Sequence, residues 1–390
     1  MGIRVWGVEA SPYLLKIEAL LNARAISFRR LPRDGSRWEN ITMAWRLRRA
    51  QRQNKVLRYP QMDPLDEYPS VPFLSTDDGA LHYDSSAIAH WLDDNSSPGA
   101  APFCPQESVL GFIAQLIDEA FDEYGLYMVH HQRWVCSAAD TAMGETTGAE
   151  MSRLLFPPQV RSLVRDLPRR QVRRCPYLFS VAPQDYQAQV EPQRVPPSRP
   201  GFPPTHALLQ DSWQRYVDAL EGLLKQQPYI LGGRFTLADA SAYGHLSMNL
   251  IDPTTAANLQ RRAPLTYSWL LDIRDGKHRG GTGVLSLSPA LQPLLDIIMT
   301  TFAPLMVQNN AAYQRALEAG EETFNEQAFD RGLALYDGEL MDHPFRSVVK
   351  TFQVRVWRDL CHRWQQLGDD ERQSLQELLP HWSLFIDPHC

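Results

Sequence analysis

The spacing of apolar and polar positions changes along the chain, from short strand-like runs near the N-terminus to long helical periods later. Within residues 2–95, Ile3–Trp6 is typical of a short strand. Ser11 and Pro12 then predict a helix start, with serine as the N-cap and proline at the first helical position. The apolar run Ile26–Leu31 predicts a second strand.

A second group of strands precedes another helix. We predict a strand over Val71–Leu74, a hairpin partner near Ala80–Tyr83, and a helix over Ser85–Asp93. The dipeptide Asp78-Gly79 between the two strands is a tight-turn signal. The order β-α-β followed by β-β-α predicts a small α/β unit of the thioredoxin type.

From about Gln106 onward the apolar residues recur with helical spacing. Pro183–Pro204 contains seven prolines and little periodicity, which predicts a loop or linker. Thr236 and Asp239 form a predicted capping box at a sharp helix start. Beyond the glycine-rich stretch Asp275–Gly283 we predict more helix. Its apolar positions form one long stripe: Phe345, Val348, Val349, Phe352, Val356, Leu360 and Trp364.

These patterns divide the 390 residues into three parts. We predict an α/β thioredoxin-like domain over 1–95 and an all-helical domain over 105–283, with a proline-rich insertion near 140–205. A helical C-terminal extension over 284–390 follows. The sequence shows no internal repeat.

The formal charge of −6 argues against generic nucleic-acid binding. Two arginine-rich stretches, Arg46–Arg58 and Arg161–Arg174, are better explained as solvated faces or as contacts with acidic partners, because aromatic residues do not alternate with the arginines. The sequence contains no run of eighteen apolar residues, so we predict no membrane span. Nor does the N-terminal sequence have the pattern of a signal peptide.

The five cysteines are scattered and lack a C-x-x-C pair. This predicts reduced thiols and a cytoplasmic protein, since disulfide frameworks belong to oxidising compartments. The adjacent histidines His130 and His131 point in different directions on a helix and have no ligand spacing around them. We therefore predict no metal site.

Four segments carry a resemblance to the soluble glutathione transferases: Ala10–Lys16, Ser70–Leu74, Asp84–Ile88 and Tyr229–Asp239. They are similar, in order, to the family's segment at the start of the first helix, its cis-proline strand, its acid-Ser-x-Ala-Ile motif and its helical-domain capping signature. The resemblance covers about residues 2–275. It implies a cytoplasmic homodimer that binds glutathione as a co-substrate.

The resemblance also implies a reaction, the attack of a glutathione thiolate on an electrophile. A hydroxyl that donates to the sulfur lowers the thiol pKa, and a helix N-terminus assists. Ser11 is the predicted catalytic residue, with Tyr13 as the alternative donor. The structural alternative is that Ser11 is a plain N-cap. Because position 11 is not cysteine, conjugation or peroxide reduction is favoured over disulfide exchange.

The same resemblance assigns the glutathione contacts. Val71 and Pro72, joined by a cis bond, would pair with the cysteinyl backbone. Asp84 and Ser85 would hold the γ-glutamyl end through its ammonium and carboxylate groups. A plain trans proline and a simple N-cap cluster are the structural alternatives. For the glycyl carboxylate the candidates are Lys55 and Arg58.

The acceptor substrate is less constrained. Tyr124, Tyr127, His131 and Trp134 are candidates to line its pocket, although aromatic residues at helical spacing are more often core residues. The resulting hypothesis is a detoxifying enzyme that acts on a small hydrophobic electrophile or a peroxide. The alternative is a non-catalytic relative that serves assembly or sensing through the extension.

Overall fold

The N-terminal part of the chain forms a five-stranded sheet with helices packed against it. The computed structural model describes residues 2–53, 57–59, 65–66, 71–138, 140–187, 198–278 and 283–386. In chain order the first elements are β1 (Ile3–Trp6), α1 (Pro12–Ala23), β2 (Phe28–Leu31), α2 (Arg37–Gln53), β3 (Leu57–Tyr59), β4 (Phe73–Ser75), β5 (Leu81–His82) and α3 (Ser85–Asp94).

The strand order is β2-β1-β4-β5-β3. Strand β1 pairs parallel with β2 and antiparallel with β4, so that Val5 lies between Arg30 and Leu74. Strands β4 and β5 form the predicted hairpin around a turn in which Gly79 has a φ of 82°. The thioredoxin-like arrangement is confirmed, with β3 as an additional edge strand.

Helix α1 connects this sheet to the helical domain. Its residues Leu14, Ile17 and Leu20 are fully buried. On its other side α1 packs against a later helix, α9 (Leu237–Leu246). A Cβ on Gly244 would lie 2.6 Å from the carbonyl oxygen of Pro12. Only glycine therefore permits this close approach of the two helices.

The helical domain is built around one continuous helix over residues 108–136. It consists of α4 (Ser108–Ala120), a π-helical turn (Phe121–Gly125), α5 (Leu126–His131) and a second π-helical turn (Gln132–Cys136). The helices that follow are α6 (Met143–Met151), α7 (Pro157–Arg174), α8 (His206–Leu224), α9, α10 (Pro253–Arg262) and α11 (Pro264–Arg274). At α9 the predicted capping box is present, because Asp239 accepts hydrogen bonds from the backbone and hydroxyl of Thr236.

The C-terminal extension is not wholly helical. It contains α12 (Gln292–Thr300), α13 (Phe302–Glu318), α14 (Asn325–Arg331), β6 (Leu335–Leu340), β7 (His343–Val348), α15 (Thr351–Gln366) and α16 (Asp369–Leu378). The predicted helical stripe is therefore wrong from Phe345 to Val349, because Phe345 and Val348 lie in an antiparallel hairpin. The stripe is helical only from Phe352 onward.

One hydrophobic core runs through all three predicted parts. It contains Ile3 and Leu74 from the sheet, Phe112 from the long helix, and Trp364 and Phe385 from the extension. The rings of Trp364 and Phe385 are stacked with their centroids 5.2 Å apart. The extension is thus an integral part of the core and not a separate lobe.

One helical stretch, Pro289–Glu318, has the length and hydropathy of a membrane span, and 61 % of its apolar window is buried inside the protein. Core helices of soluble proteins commonly have this composition, so the stretch is weak evidence for a membrane.

The prediction of reduced thiols holds for Cys104, Cys136 and Cys175, which are buried and free. It is wrong for Cys361, which is disulfide-bonded.

Candidate functional site

A cavity of about 320 Å³ lies where the thioredoxin-like unit, the long helix and the extension meet. Each of these parts contributes to its lining. The lining residues are Tyr13, Asp66, Val71, Pro72, Tyr83, Asp84, Ser85, Ser86, Glu119, Asp122, Glu123, Leu126, Tyr127, Tyr177, Leu178, Asn325, Lys350, Phe352 and Gln353. The cavity is at the small end of the range for ligand sites.

Two predicted motifs form one wall of this cavity. Val71 and Pro72 line it, and the bond between them is cis. Asp84 and Ser85 lie beside them at the N-terminus of α3. Oδ1 of Asp84 caps the helix by accepting the backbone N–H groups of Ser86 (3.0 Å) and Ala87 (3.1 Å). The second carboxylate oxygen of Asp84 remains for another partner.

That partner is Arg355 of the extension. Its guanidinium donates to Oδ2 of Asp84 at 3.0 Å and to Oδ1 of Asp66 at 2.8 Å. A third bond, of 3.0 Å, joins it to Asp359 one turn along α15. Asp66 in turn accepts from the hydroxyl of Tyr83 at 2.8 Å. A cation from the extension therefore sits against the carboxylate predicted to hold the γ-glutamyl ammonium group.

The two candidate hydroxyls have different positions. Ser11 is buried and caps α1, where its Oγ accepts the backbone N–H of Leu14 at 3.4 Å, and it does not belong to the described lining of the cavity. Tyr13 does line the cavity, and its hydroxyl donates to the carbonyl oxygen of Asp122 at 3.0 Å. Burial raises the pKa of Tyr13 well above its ordinary value, and Glu123 and Asp122 raise it further.

Below the wall lies a buried charge cluster that joins the two domains. Lys16 of α1 is fully buried, and its ammonium group contacts Asp118 at 2.6 Å and Asp122 at 2.7 Å. It also donates to Ser86 at 2.8 Å. Burial alone would lower the pKa of Lys16, but the two aspartates outweigh that effect and raise it. Lys16 is therefore charged, and its contacts hold α1, α3 and the long helix together.

The long helix presents Glu119 and Glu123 to the cavity. Burial raises the pKa of both carboxyl groups. At Glu119 the neighbouring Asp118 raises the pKa further, while Arg355 lowers it. The pKa of Glu123 is about 7, because a hydrogen bond from Gln353 only partly offsets burial. Glu123 can therefore exchange a proton near neutral pH, as a general acid or base must.

This shift predicts how stability depends on pH. A carboxyl group whose folded pKa is raised destabilises the fold, and the penalty grows as the pH rises from about 4.5 to about 7. We expect a Glu123→Gln variant to gain thermal stability over the wild type across this window. Melting temperatures measured at several pH values would show it. The exposed Glu339→Gln variant is the control, and equal pH dependence in all three proteins would contradict the prediction.

The far wall belongs to the long helix, the insertion and the extension. The ammonium group of Lys350 donates to the hydroxyl of Tyr127. It also lies 4.3 Å from the ring centroid of Tyr127 and 4.9 Å from that of Tyr177. Gln353 donates to the same hydroxyl at 2.7 Å. This wall of the cavity therefore combines aromatic rings, an amide group and a charged ammonium group.

Of the four aromatic and histidine candidates for the acceptor pocket, only Tyr127 lines the described cavity. The hydroxyl of Tyr124 is buried against Ser212 at 2.8 Å, and His131 is bonded to Ser180 and His206. Trp134 packs in a separate small cluster. Lys55, Ser70 and the side chain of Arg58 lie outside the described residues.

Sequence reasoning missed several residues of the site. Glu119 and Glu123 are four positions apart on the long helix, between its apolar positions, and no motif marks them. Lys16 occupies one position within an otherwise apolar helix face, which is a signal that could have been used, since lysine is almost never buried without a partner. Lys350, Gln353 and Arg355 carry no motif.

Residues 200–248 match the family model described as the glutathione S-transferase C-terminal domain. The resemblance to the glutathione transferases is confirmed. Within this match lie α8, α9 and the capping box of the helical domain. No curated protein sequence matches the chain.

Several solved structures are similar to the chain. A glutathione S-transferase from Rhodospirillum rubrum is 14 % identical, with a TM-score of 0.39, over 75 % of this chain and 91 % of its own. A β-etherase from Sphingobium sp. strain SYK-6 is 16 % identical, with a TM-score of 0.40, over 75 % and 98 %. A glutathione transferase family member from Pseudomonas fluorescens Pf-5, with bound glutathione, is 14 % identical, with a TM-score of 0.30, over 74 % and 96 %. The fold assignment rests on the strand order and helices described above.

Proposed function

We propose that the chain is a glutathione transferase-like enzyme that binds glutathione in this cavity and activates its thiol. The observation that supports this best is the convergence of two separate motifs on one wall. Val71 and Pro72 come from the start of β4, and Asp84 and Ser85 from the start of α3. A backbone segment and polar side chains that line the same cavity suit a peptide-like ligand with a charged end.

In this proposal the roles are divided between binding and chemistry. Val71 pairs with the cysteinyl backbone, and Asp84 and Ser85 hold the γ-glutamyl end. The thiol pKa is lowered by a hydroxyl at the N-terminus of α1, with Ser11 as the predicted donor. Tyr13 is the alternative, and its place in the cavity lining supports it. The carboxylates around Tyr13 oppose thiolate formation, so the positive end of α1 must contribute.

The thiol proton needs an acceptor when the thiolate forms. Glu123 lines the cavity and, with a pKa of about 7, is partly ionised at neutral pH. We propose that Glu123 takes up this proton and returns it to the product or to solvent.

The first test is a calorimetric titration of the full chain with reduced glutathione. We expect saturable binding to one site, weakened in Ser85→Ala, because that variant loses a donor to the γ-glutamyl carboxylate. Ser97→Ala, at an exposed position shortly after the end of α3, is the matched control. An absence of binding at millimolar glutathione would contradict the proposal.

The second test separates the two hydroxyls. If Ser11 activates the thiol, Ser11→Ala should lower kcat for glutathione conjugation while glutathione affinity changes little. Tyr13→Phe should then retain most of the rate. The reverse result would assign the role to Tyr13, and equal losses of affinity in both variants would show that neither hydroxyl has a separate chemical role.

One observation favours the second candidate, a non-catalytic relative that senses or assembles through its extension. Arg355 already donates to Oδ2 of Asp84, the oxygen that does not cap α3. Ser11 lies outside the described lining of the cavity. Under this candidate, glutathione neither binds nor reacts while the extension is docked. The homodimeric state, the hydrophobic or peroxide acceptor, the cytoplasmic location and the absence of nucleic-acid binding stay predictions.

A further inference from the structure

Glu119 is the carboxylate of the cavity that lacks a matching partner. It lines the cavity, it is only 8 % exposed, and within the described part of the chain it has no hydrogen bond or ion pair. We infer that the cavity binds a small primary amine with an aromatic body, and that Glu119 holds the ammonium group. The inference rests on the proposed function in one respect: the amine would belong to the acceptor molecule that reacts with glutathione.

The other carboxylates of the lining are already neutralised by cations or satisfied by hydrogen bonds. Asp66 and Asp84 share Arg355. Asp122 is bound to Lys16. These pairings leave Glu119 as the carboxyl group of the lining for which the described residues supply no hydrogen bond or ion pair.

Glu123 is also satisfied from within the chain. Gln353 donates to its carboxylate, and Lys350 lies close enough to lower its pKa. The two glutamates are one turn apart on the same helix face, and they differ in this respect. Glu119 is therefore the group available to bind a ligand.

Arg355 lowers the pKa of Glu119 through its charge, without a hydrogen bond or ion pair between the two described side chains. Its three nitrogens donate to Asp66, Asp84 and Asp359. Burial is the largest cause of the raised pKa of Glu119. The like charges of Asp118, Asp122 and Asp84 raise it further. A bound ammonium group would oppose this shift and favour the ionised form of Glu119.

The aromatic walls of the cavity already hold one cation. The ammonium group of Lys350 lies over the rings of Tyr127 and Tyr177, at 4.3 and 4.9 Å from the centroids. Tyrosine faces stabilise cations and also pack well against an aromatic ring. Phe352 adds a further ring to the lining.

A neutral hydrophobic ligand fits this lining less well. It would cover the carboxyl group of Glu119 without offering it a hydrogen-bond donor, which is unfavourable for a buried polar group. An ammonium group removes that penalty and forms a charge-assisted hydrogen bond. The cavity volume of about 320 Å³ is suited to a small molecule of this kind.

The experiment is a calorimetric titration of the full chain with 2-phenylethylamine, and with its neutral counterpart 2-phenylethanol, both without glutathione. We expect one-site binding of the amine, and affinity lower by about tenfold or more for the alcohol, since a charged hydrogen bond is lost. Glu119→Gln should weaken amine binding by a similar factor. Glu339→Gln, at an exposed position of β6, should bind as the wild type does.

Several outcomes would overturn the inference. Equal affinities for amine and alcohol would mean that the cavity recognises the ring alone, and unchanged amine binding in Glu119→Gln would remove the role of Glu119. A wild type that binds neither probe would overturn it as well. Because the amine and alcohol comparison uses the wild type, it does not depend on the folding of any variant.

The result is separable from the test with glutathione. Amine binding without glutathione binding would support this inference and contradict the proposed function. Glutathione binding without amine binding would do the reverse.

Discussion

Replacing Lys16 with methionine should destabilise the protein by about 3–5 kcal/mol, the usual effect of removing one partner from a buried ion pair. Lys16 is fully buried between Asp118 and Asp122. Methionine fills a similar volume but leaves both carboxylates without their cation. Chemical denaturation followed by tryptophan fluorescence would measure the loss.

The control is Lys277→Met, because Lys277 forms its ion pair with Asp272 while remaining 62 % exposed. Exposed pairs of this kind contribute little, so we expect a change of less than about 1 kcal/mol. Adding Asp118→Asn to the Lys16 variant should recover part of the stability, because one unpaired charge disappears. Equal losses at Lys16 and Lys277 would show that the cluster does not hold the domains together.

Replacing Arg355 with methionine should have two opposite effects. Stability should fall by roughly 3 kcal/mol, because Asp66 and Asp84 lose the guanidinium that pairs with them in a largely buried site. Glutathione affinity should rise by about tenfold, since the carboxylate of Asp84 no longer has to be released before a ligand ammonium can bind. Denaturation and calorimetric titration measure the two effects separately.

Arg358→Met is the neighbouring control. Arg358 lies on the same helix but contacts the ring of Tyr313 instead of the cavity, so glutathione affinity should not change. A loss of affinity in Arg355→Met would contradict the expectation. It would mean that Arg355 holds a carboxylate of the ligand and is part of the binding site.

The parts of the fold that depend on local signals were predictable. Ser11 and Pro12 predicted the start of α1, and Thr236 with Asp239 predicted the start of α9. Each signal lies within three residues of the backbone groups it satisfies, so sequence spacing is enough to find it. The wall containing Val71, Pro72, Asp84 and Ser85 was expected on another ground, the resemblance of these segments to the motifs of a known family.

The hairpin of the extension was missed because its turn lacks the usual residues. Met341 and Asp342 both have positive φ, at 49° and 62°, a geometry in which glycine or asparagine is normally found. Helix α2 was missed because three of its apolar residues, Trp38, Ile41 and Trp45, face solvent. Its pattern therefore lacks a period that points to a core.

The contacts that residues of the extension make with the site could not be predicted from the sequence. Arg355 and Asp84 are 271 positions apart, and Gln353 and Tyr127 are 226 apart. A single arginine in an amphipathic helix has many possible partners, and only the packing of α15 against the long helix selects one. The charge environment of the cavity follows from that packing, as does the pKa of Glu123.

The shared core has a consequence for synthesis on the ribosome. Phe112 leaves the ribosome early, whereas the rings that cover it, Trp364 and Phe385, emerge more than two hundred residues later. During that interval the nascent chain carries exposed apolar surface and an open acidic cavity. Such intermediates are prone to aggregation. Efficient production of this protein in a cell therefore depends on protection of the growing chain until the last helices arrive.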